Sequence, residues 1–92
     1  MVYMVTYDLN SEGQNYEDVI QAIKDASNGV WCTYWKSSFL IKSNLKTANE
    51  VFAKIKPYVD DNDRLLVIEV QNNKQGWLSE KQWEYINESI FS

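Results

Sequence analysis

The first apolar run of the chain, Met1-Val2-Tyr3-Met4-Val5-Thr6-Tyr7-Asp8-Leu9, carries a single carboxylate near its end, and the polar segment Asn10-Ser11-Glu12-Gly13-Gln14-Asn15 follows at once. Asp8 is therefore the first candidate for chemistry. A carboxylate at the outgoing end of a buried strand lies where loops and the next helix meet, within reach of a ligand or a hard cation, although aspartate is also an ordinary turn former there. The rest of the inventory narrows the options. There is no His, which removes histidine-based acid-base catalysis and triads. With one Cys, Cys32, the chain lacks the donors for a transition-metal site and the partners for a disulfide framework. Any metal would be a hard cation held by oxygen. Asp60-Asp61-Asn62-Asp63 gathers carboxylates as a calcium loop does, but the central Gly and terminal Glu of that pattern do not follow in register.

Lysines supply a second set of candidates. The net charge of −4 disfavours strong nonspecific binding to a nucleic-acid backbone. Its distribution is uneven, because Lys36, Lys42, Lys46, Lys54 and Lys56 stand against Glu50 alone between residues 36 and 56. One face of the fold can thus be basic and meet phosphates, or these lysines simply solvate a hairpin and a helix.

The elements that must position these residues follow from spacing. The opening run has the composition and length of a strand. Tyr16, Val19, Ile20 and Ile23 recur at helical spacing and predict a helix from about Asn15 to Ser27, with Asn15 as N-cap, Asp18 reaching back, and Asn28-Gly29 ending it. Val30 to Lys36 and Phe39 to Lys42 are dense in β-branched and aromatic residues and predict a hairpin around Ser37-Ser38, a pair without the positive-φ preference of Asn-Gly, so that a looser bend or bulge is an alternative. Thr47 and Glu50 form a capping-box signature for a second helix that should stop near Lys56, before Pro57. Arg64 to Val70 reads as the clearest interior strand after the first. Ser79 and Gln82 cap a last helix whose stripe is Trp83, Ile86 and Ile90.

The order β-α-β-β-α-β-α in 92 residues allows one domain, spanning 1–92. It predicts an α+β ferredoxin-like sandwich: a four-stranded antiparallel sheet in the order 4-1-3-2, two helices on one face, and an extra C-terminal helix. Strands 1 and 2 carry bulk at both parities, Tyr3, Val5 and Tyr7 against Val2 and Met4, and Trp31 and Trp35 against Cys32 and Tyr34. A second buried face is implied, covered by the C-terminal helix with Trp77 and Trp83 or by a second subunit. No positively charged segment precedes the first apolar run, and none reaches the ~18 residues of a membrane span, so a cytoplasmic protein without a membrane partner is expected.

Val5-Thr6-Tyr7-Asp8-Leu9, Gly13-Gln14-Asn15-Tyr16, Ser37-Ser38-Phe39-Leu40-Ile41 and Asp63-Arg64-Leu65-Leu66-Val67 together resemble the small bacterial SinR-like proteins. Those are similar in turn to the small CRISPR adaptation subunit and the virulence-associated protein D ribonucleases. The resemblance implies a ferredoxin-like homodimer with Asp8 near the dimer axis, in a magnesium-binding, nuclease-type role that many members lack. Two symmetry-related Asp8 carboxylates would have to share one ion, because magnesium needs octahedral oxygen ligands and keeps several waters. Three functions are thus expected to compete. The first is a dimeric nucleic-acid-associated module using Lys36, Lys42, Lys46, Lys54 and Lys56, with Tyr34 or Trp35 available for stacking. The others are a magnesium-dependent nuclease with Asp8 as catalytic and metal-binding residue, and a module that binds another protein.

Overall fold

Alternation along the first strand decides which way the sheet faces. Tyr3, Val5 and Tyr7 are buried on one side, while Val2, Met4 and Thr6 take the other. The computed structural model describes residues 1–10 and 16–92. These form β1 (Val2–Asp8), α1 (Tyr16–Ala26), β2 (Val30–Trp35), β3 (Ser38–Lys42), α2 (Ala48–Ile55), a 3₁₀ turn (Lys56–Tyr58), β4 (Arg64–Glu69) and α3 (Glu80–Tyr85), which runs on into a π-helical turn (Ile86–Ile90). The expected N-cap Asn15 and the Gly13-Gln14-Asn15 element lie outside the described residues.

The sheet order is β2-β3-β1-β4, which read from the β4 edge is 4-1-3-2, and every neighbouring pair is antiparallel. β1 and β2 are therefore parallel to each other across β3, and β3 and β4 across β1. Each of these pairs is joined by a helix on the same face, where Val19, Ala22 and Ile23 of α1 and Val51 and Ile55 of α2 bury against Tyr3, Val5, Tyr7, Phe39 and Ile41. The buried Tyr3 phenol is satisfied by donating to the Leu45 carbonyl at 2.7 Å. α1 ends where Gly29 takes φ +88°. Behind it Ser43, itself buried, donates to the Ala26 carbonyl at 2.6 Å and fixes the helix terminus to the end of β3.

Local signals placed the N-caps of α2 and α3 correctly. The Thr47 hydroxyl accepts from the Glu50 amide at 3.1 Å, and at α3 both halves of the Ser79–Gln82 box are formed. Pro57 diverts the chain into the 3₁₀ turn immediately after α2. The hairpin differs from expectation. It closes one residue early, on Lys36-Ser37, with Ser38 already paired to Trp35. Ser37 supplies the positive φ, 58°, that a tight hairpin loop demands. A serine there carries left-handed strain, so Ser37→Gly is expected to stabilise the fold by about 0.5 kcal/mol after its own entropic cost, read from the urea midpoint.

The register of β2 against β3 shifts between Cys32 and Trp35. Thr33 bridges the irregularity, its hydroxyl donating to the Ser38 carbonyl at 2.7 Å. A bulge of this kind re-aims the residues after it. Trp35, paired with Ser38, comes to the outer face, where it lines a cavity with Met4 and Leu40. That face has its own smaller core, in which Ile86 and Ile90 pack on Cys32 and Leu40. The C-terminal helix thus covers β2 and β3 on the outer face, with Val2 and Met4 of β1 packed against the same cluster.

Candidate functional site

Asp8 is the last residue of β1, exposed and on the outer face, directly opposite Arg64 of β4. Its strand neighbour on that face, Thr6, has its hydroxyl engaged by the Ser37 carbonyl at 3.3 Å and the Ser38 hydroxyl at 3.0 Å. Among the described residues Asp8 thus stands in register with a cationic residue and not with a second carboxylate, a poor start for the oxygen shell that magnesium needs. Among the described residues no three Cys, Asp or Glu side chains gather at metal-binding distance.

Asp60 to Asp63, the other carboxylate cluster, are turn locks. Asp63 accepts from the Asn10 amide at 2.9 Å and the Asp60 amide at 3.0 Å, and Asp60 accepts from the Asn62 amide at 2.8 Å. They fasten the exit of β1 to the entry of β4 and so fix where Asp8 and Arg64 stand.

The five candidate lysines are not brought together. Lys36 lies in the hairpin turn at the Asp8 end of the sheet, whereas Lys42 pairs with Val2 at the opposite end and donates to the Ser92 hydroxyl at 2.8 Å. The length of β3, five residues and roughly 13 Å, separates the turn from Lys42. Lys46 precedes α2 at the Lys42 end, and α2 carries Lys54 and Lys56 back toward Asp8. There Lys56 shares a surface depression with Asp60, Asp61 and Asp63. The Asp8 end is electrically mixed.

What spacing did not single out is β4. Leu65-Leu66-Val67-Ile68 reads as a strand covered on both sides, yet β4 is an edge strand. Leu65 and Val67 pack under α1 and α2, but Leu66 and Ile68, on the outer face opposite Thr6 and Met4, are 56% and 49% exposed. The uninterrupted apolar run was the signal, since a half-solvated strand alternates. Trp77 was likewise not separable from the covering helix by spacing. It is 99% exposed, in the segment that leads to α3.

Cys32 is free and buried beneath the C-terminal helix. Burial pushes its thiol from 9.0 up to about 11. The folded chain then holds the proton more tightly than the unfolded chain, so this stabilisation is whole below about pH 9 and is lost as pH rises through about 11. The expected loss is on the order of 2 kcal/mol, seen as a falling urea midpoint that Cys32→Ala makes shallower. Tyr7, also raised by burial and then by its hydrogen bond with Tyr16, adds to the same alkaline trend.

No helix among the described residues is long and apolar enough to cross a membrane. Compared with known proteins, the chain matches no family model and no curated protein.

Proposed function

We propose that the chain is a non-catalytic homodimeric module of ferredoxin-like type, similar to the SinR-like proteins, that associates with nucleic acid in the cytoplasm. One observation carries the reading: Leu66 and Ile68 of β4 stay open on the outer face, beside the part that the C-terminal helix covers. An exposed apolar patch of a few hundred Å², roughly, is at the upper end for a monomer. A symmetric partner is the commonest cover, and a standard interface buries about 800 Å² on each side. The buried free Cys32 suits a reducing compartment.

Nucleic acid would meet Lys36, Lys54, Lys56 and Arg64 near the Asp8 end, doubled by the dimer. Because carboxylates stand among them, few phosphates would be neutralised per complex. For about two, affinity falls roughly tenfold between 50 and 200 mM salt. Anisotropy of a labelled oligonucleotide tests this, and no binding at low salt would sink the nucleic-acid half of the proposal. Lys42 and Lys46 lie outside this group.

The mixed charge at that end favours a second reading, a dimer that docks another protein. A stable dimer that ignores oligonucleotides would support it. The nuclease alternative, with magnesium shared by Asp8 of both subunits, is weakened by the register of the sheet, which sets the cationic residue Arg64 across from Asp8. Magnesium-dependent cleavage that Asp8→Ala abolishes would reinstate it.

A further inference from the structure

Between β4 and α3 the chain crosses the outer face without regular structure and borders, with the sheet and the C-terminal helix, a half-open cavity of about 300 Å³. Met4 and Leu40 line it from the sheet, and Trp35, Trp77 and Trp83 bring three of the four tryptophans to it. In a chain of net charge −4, Lys74 is the one charged residue in that lining among the described residues. Its ammonium lies 4.8 Å from the Phe91 ring centroid and donates to the Asn72 side-chain oxygen, so it is held at the cavity.

We propose that this cavity binds one nucleotide unit, its base stacked among the indoles of Trp35, Trp77 and Trp83 and its phosphate against Lys74. Size, shape and charge point the same way. The volume is at the lower limit of small-molecule sites, about 300 to 1,000 Å³, and suits a single ring system. Indoles are the side chains best suited to stack on a planar ring, and Trp77, almost wholly in solvent, gains a partner when the ring arrives. The carboxamides of Gln71, Asn73 and Gln75 supply both donors and acceptors for the polar edge of a base. A lone lysine in the lining repels cations and attracts an anion. The unit can come from a free nucleotide or from a single strand; the latter source rests on the nucleic-acid reading above, while the cavity itself does not depend on the dimer.

The test is intrinsic fluorescence in a Trp31→Phe background. Trp31 packs against Phe39 on the helix-covered face with Lys24 4.6 Å from its ring, so the remaining emission comes from the three cavity indoles. Thymidine monophosphate and a tetrathymidylate are each titrated, with ribose 5-phosphate and free indole as controls. Saturable quenching by a nucleotide, weakened about tenfold by Trp77→Ala and again by Lys74→Gln, is the expected result. Both residues lie on the surface segment, so these variants should retain the fold. Tighter binding of the tetranucleotide identifies a strand as the source, and equal binding a free nucleotide. The Leu66→Lys, Ile68→Lys variant, expected to be monomeric, should bind thymidine monophosphate as well as the parent does, which separates this site from the dimer proposal. Absence of saturable quenching in the millimolar range would overturn the assignment. So would ribose 5-phosphate binding equally well, or free indole binding as tightly, the last marking a pocket for an apolar protein side chain.

Discussion

Replacing Ile90 with alanine is expected to cost about 3 kcal/mol of stability and to unmask Cys32. Ile90 is fully buried at the end of the π-helical turn and, with Ile86, forms the contact that holds the C-terminal helix on Cys32 and Leu40. Removing the side chain deletes apolar contacts and leaves a cavity, because the sheet beneath is anchored on its other face by α1 and α2 and cannot follow. A loss of this size is a large share of the roughly 5 to 15 kcal/mol that a small domain has. The helix would therefore open locally before the sheet melts. The thiol would then lose the burial that holds it near 11 and return toward its ordinary value. Urea denaturation gives the first number, and the rate of thiol modification in native buffer gives the second. Faster modification of Ile90→Ala at a denaturant concentration where the sheet is intact is the expected outcome. Unchanged reactivity would mean that the helix does not guard Cys32.

The paired change Leu66→Lys and Ile68→Lys is expected to abolish self-association while leaving the monomer folded. In the chain itself both side chains are about half in water, so lysine costs little there. Across a two-fold axis each substitution occurs twice, and the ammonium groups would be buried without partners, at a cost of about 3 to 5 kcal/mol. That corresponds to a dissociation constant weaker by roughly a hundredfold or more. An unfolded double variant would instead mean that the outer face is needed within one chain.

Helix ends were legible because they depend on neighbours in sequence: Thr47 with Glu50, Ser79 with Gln82, Pro57 after Lys56. Strand order was legible too, since right-handed crossovers leave few ways to join four strands through two helices. The hairpin turn was not, because Ser37 adopts a conformation its residue type does not advertise, and the bulge that turns Trp35 outward depends on Thr33 finding the Ser38 carbonyl. Site residues divide in the same way. That Asp8 ends β1 follows from the opening run, but that Arg64 faces it is a matter of register between strands far apart in sequence. The lysines from 36 to 56 look like one patch along the chain, yet the length of β3 and the return of α2 distribute them between opposite ends of the sheet. The uninterrupted run in β4 announces that both faces want cover. It reads the same whether the cover is the chain's own helix or a second copy, and the helix cluster takes in Val2 and Met4 of β1 while Leu66 and Ile68 stay exposed.

Sedimentation equilibrium of the unmodified chain over a range of concentrations tests the outer-face pairing most directly. The expected result is a mass approaching twice the 10.8 kDa of one chain at micromolar concentration, falling to the single-chain value in the Leu66→Lys, Ile68→Lys variant. A mass of 10.8 kDa at every concentration, or a double variant that sediments as the parent does, would contradict it.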